Sequence, residues 1–291
     1  MIPWQRKGEW LELRLPQPLE SEYEIKRYLR LSDKYIGALI KTGGFSIKSV
    51  RVRLRLFPNE PLHYMSNWMP VEVLYEDDFC LVVHKPAGMK VHGEGGGPSK
   101  EPTLSDAVAA YYEASGQQCK VRHIHRLDED TTGPVLYAKY EWPQLVLDEA
   151  MREKRIDRRY AAIVQGRLPS KAGTIDAPIG RDRHHASRRR VSPTGERAVT
   201  HYEVLEQWRD AALVALRLET GRTHQIRVHL SHLGAPIWGD ALYGGKRELI
   251  GRQALHGERL LWDHPLTGEK LDIGCPWPAD MTSLYEAVKK I

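Results

Sequence analysis

Hydrophobic and polar positions alternate most strictly in Arg51-Val52-Arg53-Leu54-Arg55-Leu56, where a strand places three arginines on one face and three apolar residues on the other. Upstream, residues 20–42 carry Ile25, Leu29, Ile36, Leu39 and Ile40 at helical intervals, and Ser32-Asp33 breaks the run where a cap can open a second helix. Two short basic helices, a Gly43-Gly44 turn and a basic strand are therefore predicted. Residues 58–70, with Pro58, Pro61 and Pro70, read as a linker. Beyond about Val71 strands and helices mix. Residues 79–85 (FCLVVHK) suit a buried strand, residues 103–114 (TLSDAVAAYYEA) a helix opening near Thr103 or Ser105, and residues 212–219 (ALVALRLE) another strand. The predicted class is α+β. No stretch of 20 to 50 residues repeats, which excludes a solenoid.

A chain of 291 residues exceeds the usual size of one core, so one large domain with a small accessory module is expected. The formal charge of +5 suits an acidic partner, and its distribution narrows the choice. Lys26, Arg27, Arg30, Lys34, Lys41, Lys48, Arg51, Arg53 and Arg55 load the first sixty residues, and Arg181 to Arg190 form a second cluster. Two basic surfaces fit an extended polyanion better than a small metabolite. Taken alone, such charges are equally well read as a solvated face. The order helix, helix, glycine turn, basic strand resembles the small S4-type RNA-binding module, which favours contact with RNA.

Cys80, Cys119 and Cys275 stand far apart without CxxC spacing, which speaks against a zinc knuckle or a disulfide framework and for a reducing cytosol. The start MIPWQRKGEW has no apolar run after its charges, and no stretch approaches the roughly 20 apolar residues of a membrane helix. A cytoplasmic, non-membrane protein is expected. The loop at residues 92–100 (HGEGGGPSK) is glycine-rich but has neither GxGxxG nor GxxxxGK[ST] spacing, so it reads as a flexible loop and not a phosphate cradle.

Two segments carry the chemistry. In the first, residues 123–133 (HIHRLDEDTTG), charged and apolar residues alternate before two hydroxyls and a glycine, which suits a strand ending in a turn with side chains at its rim. His123 and His125 can be read as metal ligands with Asp128 or Asp130, but no further His/Cys pair at ligand spacing completes such a site. A plain polar turn held by Asp and Thr is the other simple reading. In the second, residues 218–234 (LETGRTHQIRVHLSHLG), a strand ends at a glycine turn and Thr223 can cap a helix. Ile226, Leu230 and Leu233 form its apolar face, and Gly234 stops it. Arg222, His224 and Gln225 then lie near a helix N-terminus, suited to a phosphate or a carboxylate.

Together the segments closely resemble the RluA-like family of pseudouridine synthases, whose signature is HRLD-x-x-[TS]-[ST]-G followed later by GR-[TS]-HQ-[IL]-R-x-H. The resemblance spans most of residues 75–275, through VVHKPAGMKVH, RRYAAIVQG, PIGR, GERAVTHYEVLE, GAPIWGDALYGG and ALHGERLLWDHPLTGE. So many ordered segments do not coincide by chance. Departures are few: His84 stands where Asn is more usual, Pro134 where an aliphatic is, and Gly257 where Ala is common.

The resemblance implies a largely antiparallel mixed sheet with flanking helices and a central cleft over residues 75–291. An S4-like module at 1–62 and a linker at 63–74 precede it. It implies isomerisation of uridine within ribosomal or transfer RNA, with no cofactor and no metal, by a protein for which a monomer suffices. Asp128 matches the catalytic aspartate, acting either by adding to the substrate or by removing a ribose proton. Because that carboxylate must be ionised in a closed pocket, a cation is needed beside it: Arg227 by motif position, with Arg222 as second choice. Tyr160 matches the active-site tyrosine, Leu255 the apolar pocket wall, and Arg126 the residue that fills the space left by an everted uridine. His125, His224 and Gln225 complete the expected substrate contacts. Arg51, Arg53 and Arg55, with Arg188, Arg189 and Arg190, are expected on the RNA backbone. An RNA-binding or assembly factor without chemistry is the other reading, which intact Asp128, Tyr160 and Arg227 oppose. A metal-dependent hydrolase using the histidines predicts loss of activity on chelation, which a synthase does not.

Overall fold

A computed structural model describes residues 2–61, 64, 69–93 and 101–290. Residues 94–100 of the glycine-rich loop and residues 62, 63 and 65–68 of the proline-rich stretch lie outside the described residues.

The N-terminal residues build a four-stranded antiparallel sheet from β1 (Trp4–Lys7), β2 (Trp10–Arg14), β3 (Phe45–Lys48) and β4 (Arg51–Leu54), in the order β1-β2-β4-β3. The alternation in β4 resolves as read, with Val52 and Leu54 buried and Arg51 and Arg53 exposed, although the strand ends before Arg55. Of the two predicted helices only the second is α-helical: α1 (Asp33–Lys41), whose first turn is capped by Ser32 Oγ accepting from Tyr35 N at 3.2 Å. The first is a 3-10 segment, Glu22–Arg27, since six residues offer too few hydrogen bonds to offset helix nucleation. β1 and β2 were not anticipated, although Leu11 and Leu13 alternate with polar neighbours.

This sheet packs on the rest of the chain through Phe79, whose ring meets Trp4 at 5.6 Å, Phe57 at 5.4 Å and Trp142 at 5.6 Å between centroids. Arg6 pairs with Asp78 at 2.7 Å, and Arg122 with Glu60 at 2.6 Å, around that contact.

The body consists of two sheets and a hairpin. The smaller sheet runs β5-β6-β8-β7 from β5 (Glu72–Glu76), β6 (Cys80–Lys85), β7 (Arg122–His123) and β8 (Gly133–Ala138). The larger runs β10-β13-β14-β9-β15-β16 from β9 (Asp157–Gln165), β10 (Ala172–Asp176), β13 (Val199–Gln207), β14 (Ala211–Leu218), β15 (Leu255–Asp263) and β16 (Lys270–Gly274). β11 (Ile179–Arg181) and β12 (Arg189–Val191) form the hairpin. Helices α2 (Leu104–Ala114), α3 (Glu141–Arg152), α4 (Gln225–His232) and α5 (Ala279–Val288) complete the chain. Thr103 opens α2 in a reciprocal capping box with Asp106. All strand pairs between named strands are antiparallel.

The two large sheets meet where β8 leaves the HRLD segment and crosses the start of β15. Gly257 N donates to Thr132 O at 2.8 Å. Thr132 Oγ1 lies 2.7 Å from His256 Nδ1, and His256 Nε2 lies 3.0 Å from the Cys275 carbonyl. Since a carbonyl only accepts, Nε2 carries the imidazole proton and Thr132 donates to Nδ1. Gly133 adopts φ +136°, and a Cβ there would stand 2.7 Å from the Gly257 backbone. The crossing thus needs glycine both for conformation and for room. Gly133→Ala should cost on the order of 3 kcal/mol in urea unfolding, and a loss under about 1 kcal/mol would show that the crossing relaxes freely.

Candidate active site

Of residues 123–133, only His123 lies in the two-residue strand β7, and the run from Ile124 to Thr131 that carries HRLD is irregular, not the longer strand expected. Local bonds draw it away from the sheet. Thr131 N donates to Asp128 O at 3.0 Å, and Lys85 Nζ donates to the carbonyls of Pro86, Met89 and Glu129 at 2.7, 2.6 and 2.5 Å. From the other side Arg252 Nη1 donates to Asp130 O at 3.0 Å while its fork holds Asp280 at 2.7 and 2.8 Å. These bonds fix the backbone that carries Asp128.

Asp128 opens on a cavity of about 560 Å³ lined by His125, Arg126, Tyr160, His224, Arg227 and Leu255, among others. Arg227 Nη1 donates to Asp128 Oδ2 at 3.1 Å. The same guanidinium grips Asp240 bidentately, Nε to Oδ2 at 2.7 Å and Nη2 to Oδ1 at 2.9 Å, and lies 5.0 Å from the Tyr243 ring centroid. Burial works against the charge of Arg227, but the hydrogen bonds and carboxylates of Asp240 and Asp128 outweigh it and raise its pKa further. His224 sits at the helix start in the left-handed region (φ 58°), its Nδ1 2.9 Å from Tyr243 Oη and its Nε2 3.9 Å from Asp128 Oδ2. Tyr243 Oη also accepts from Arg189 N at 2.9 Å, so one phenol ties the β11–β12 hairpin to the helix start.

Tyr160 on β9 is buried, and its hydroxyl makes no hydrogen bond among the described residues. Burial raises the phenol pKa above its ordinary value, and Asp128 adds to this against the opposing charge of Arg158. Leu255, at the start of β15, is buried in the cavity wall, and Arg126 is exposed at its rim.

Other expectations are corrected. Thr223 does not cap α4, whose preceding residue is His224 without a side-chain cap. Gln225 is not free to meet a phosphate: its Oε1 accepts from Thr220 Oγ1 and Arg222 N, and its Nε2 donates to Val199 O and Thr200 Oγ1. Its amide builds the turn. Arg222 is not beside Asp128 but pairs with Glu196 and donates to Arg197 O at 3.1 Å. Arg188 and Arg190 are exposed on the hairpin, with Arg188 5.6 Å from the Tyr243 ring, yet Arg188, Arg189 and Arg190 do not line the cavity. Arg51 and Arg53 lie on β4 and Arg55 just beyond its end, none of them lining the cavity, and Arg53 is held by Glu12 at 3.0 Å. His125 is buried, with Nε2 3.3 Å from Leu136 N, and His123 stacks on His92 at 4.5 Å.

Asp240 and Tyr243 were missed as site residues. Their segment, GDALYGG, shows only glycines flanking an acid and an aromatic, and nothing in it points to an arginine on a distant helix.

The family model described as RNA pseudouridylate synthase matches residues 79–232. A Bacillus subtilis protein named "Uncharacterized RNA pseudouridine synthase YhcT" is 39% identical over 98% of this chain and 95% of its own length. The ribosomal large subunit pseudouridine synthase D of Vibrio parahaemolyticus is 39% identical over 76% of this chain and 72% of its own. Among solved structures, human RNA pseudouridylate synthase domain containing 4 superposes with a TM-score of 0.61 at 26% identity, covering 75% of this chain and 93% of that one. The chain belongs to the RluA-like family of RNA pseudouridine synthases, isomerases that convert uridine in RNA to pseudouridine.

Two expectations follow. Asp240→Ala leaves a buried guanidinium with one carboxylate and should lower stability by about 3 kcal/mol in urea unfolding, with lost activity; unchanged values in both would show that Asp240 does not hold Arg227. Burial above all lowers the pKa of His123, His125 and His256 from 6.5 to about 4, 3 and 4. As pH falls below 6.5 the unfolded chain takes up protons that these folded imidazoles refuse, so each costs about 1.4 kcal/mol per pH unit down to its folded value. Urea midpoints at pH 7.5, 6 and 5 should fall steeply, and His125→Asn should flatten the slope.

Proposed function

We propose that Asp128 is the carboxylate on which the isomerisation turns. The observation that carries this reading is its placement in the cavity wall, 3.1 Å from Arg227 Nη1, on a loop braced from both sides. In the reaction the C1′–N1 bond breaks, the base turns, C1′–C5 forms, and one proton moves from C5 to N1, so neither water nor electrons are consumed. Arg227 balances and aims the carboxylate. Tyr160 stacks on the base, its free hydroxyl available to the migrating proton, and Leu255 closes the apolar wall. Everting a uridine from folded RNA costs a few kcal/mol, which Arg126 offsets by entering the space left behind.

The substrate of this reading is ribosomal RNA, with transfer RNA second. It is supported by relatives named for the large ribosomal subunit and by cationic surfaces on the hairpin and on β4. Residues 1–62 act as an S4-like RNA-binding module, residues 63–74 as its linker, and residues 75–291 as the catalytic domain. The protein works as a cytoplasmic monomer without cofactor or metal, in keeping with three buried free thiols. Among the described residues no helix is long and apolar enough to cross a membrane.

A transcriptome-wide pseudouridine map in cells lacking the protein, complemented with native chain or Asp128→Ala, tests this. Specific sites should vanish and return only with the native chain. Restoration by the alanine variant would remove Asp128 from the chemistry.

A further inference from the structure

Five cationic side chains are buried among the described residues: Lys85, Lys139, Arg158, Arg227 and Arg252. Four have partners. Lys85 donates to three carbonyls, Lys139 meets Glu76 at 2.6 Å, Arg227 holds Asp240 and Asp128, and Arg252 holds Asp280. Arg158 is 9% exposed, yet makes no ion pair and no hydrogen bond among the described residues, and its Nε is buried without an acceptor. A buried charge without a partner is costly, so such a group calls for an anion that the free protein does not supply.

Its position says which anion. Arg158 lines the same cavity as Asp128 and Tyr160, two residues before Tyr160 on β9. Its Nη1 lies against the glycine turn that follows β14, where a Cβ on Gly221 would come within 2.9 Å, so the glycine of the GRTHQ segment leaves room for this guanidinium. A second donor lies within the same cavity wall. His125 Nε2 accepts from Leu136 N, which leaves the proton on Nδ1, and that nitrogen is also buried without a partner. Of the other cations lining the cavity, Lys154 is committed to Glu219 at 2.9 Å, Arg222 to Glu196 and Arg227 to two carboxylates, while Arg126 and Arg152 are exposed to solvent, where a charge needs no partner.

We propose that Arg158, with His125 beside it, is the anchor for the phosphodiester adjoining the everted uridine. This rests on the cavity being the uridine site. A uracil carbonyl could satisfy a donor but not a full charge, whereas a phosphate offers both the charge and the paired oxygens that a guanidinium fork fits. The free enzyme thus holds an unpaired charge that the substrate neutralises on entry. Arg158 is a substrate-binding residue distinct from Arg227, whose partners are the enzyme's own acids.

The test is binding without turnover. The full chain, as native protein, Arg158→Gln, Arg158→Lys and Asp128→Ala, is titrated with uridine, uridine 5′-monophosphate and uridine 3′-monophosphate by calorimetry or NMR. The native protein should bind at least one monophosphate about tenfold more tightly than uridine, the scale of one charge-assisted contact. Arg158→Gln should erase that preference, Arg158→Lys keep part of it, and Asp128→Ala keep all of it. Without ligand, Arg158→Gln should melt no lower than native, since it removes an unpaired charge. The proposal is overturned if native protein shows no preference for a monophosphate, if Arg158→Gln retains it, or if Arg158→Gln melts several degrees lower. Because Asp128→Ala is read here by binding and above by pseudouridine formation, failure of the anchor and failure of the catalytic reading give different results.

Discussion

One guanidinium holds the site together. Arg227 is clasped by Asp240 on one edge and reaches Asp128 with the remaining nitrogen, inside a wall that excludes most water. Two acids on one base leave a net negative charge, carried at the end that faces the cavity. Had Arg227 a single carboxylate partner, its side chain could rotate. With Asp240 saturating Nε and Nη2, Nη1 has one direction left, and that direction is Asp128.

The scaffold serves this geometry by immobilising both ends of it. Arg227 rides on α4, whose entry is set by the Gln225 amide bonded to Thr220 in the turn after β14 and to the start of β13. Asp128 rides on a segment with little regular structure, so its backbone is held by side chains: Lys85 beneath, Arg252 behind, and the Thr132–His256 pair at the crossing. Irregular backbone at a functional site needs such bracing, because no sheet ladder supplies it. Lys85, Thr132, Arg252 and His256 are buried along this seam for that reason.

Charge is distributed on two scales. At the cavity, acids and bases are paired side chain by side chain, with Arg158 as the buried exception. On the hairpin and on β4, arginines such as Arg51 and Arg190 stand in solvent, where they attract a polyanion from a distance. Tyr243 links the two scales, since its ring packs near Arg227 and Arg188 while its hydroxyl receives Arg189 N and meets His224.

Periodicity and motif were enough for the α+β class, the inward face of β4, the capped starts of α1 and α2, and the family, because each of these is written within a short window of neighbouring residues. The same locality misled where sequence neighbours share no task. Thr223 looked like a cap, yet the turn is made by Gln225. Arg222 lies near Arg227 in the chain, but points to Glu196. The extended look of the HRLD segment dissolved into a loop because Lys85 and Arg252, about 40 and 120 residues away along the chain, compete for its carbonyls. Asp240 beside Arg227, the lone charge of Arg158, and the glycine contact at residues 133 and 257 come from packing alone. Charges and close approaches between distant segments are set by how sheets cross in space, and no local pattern encodes that.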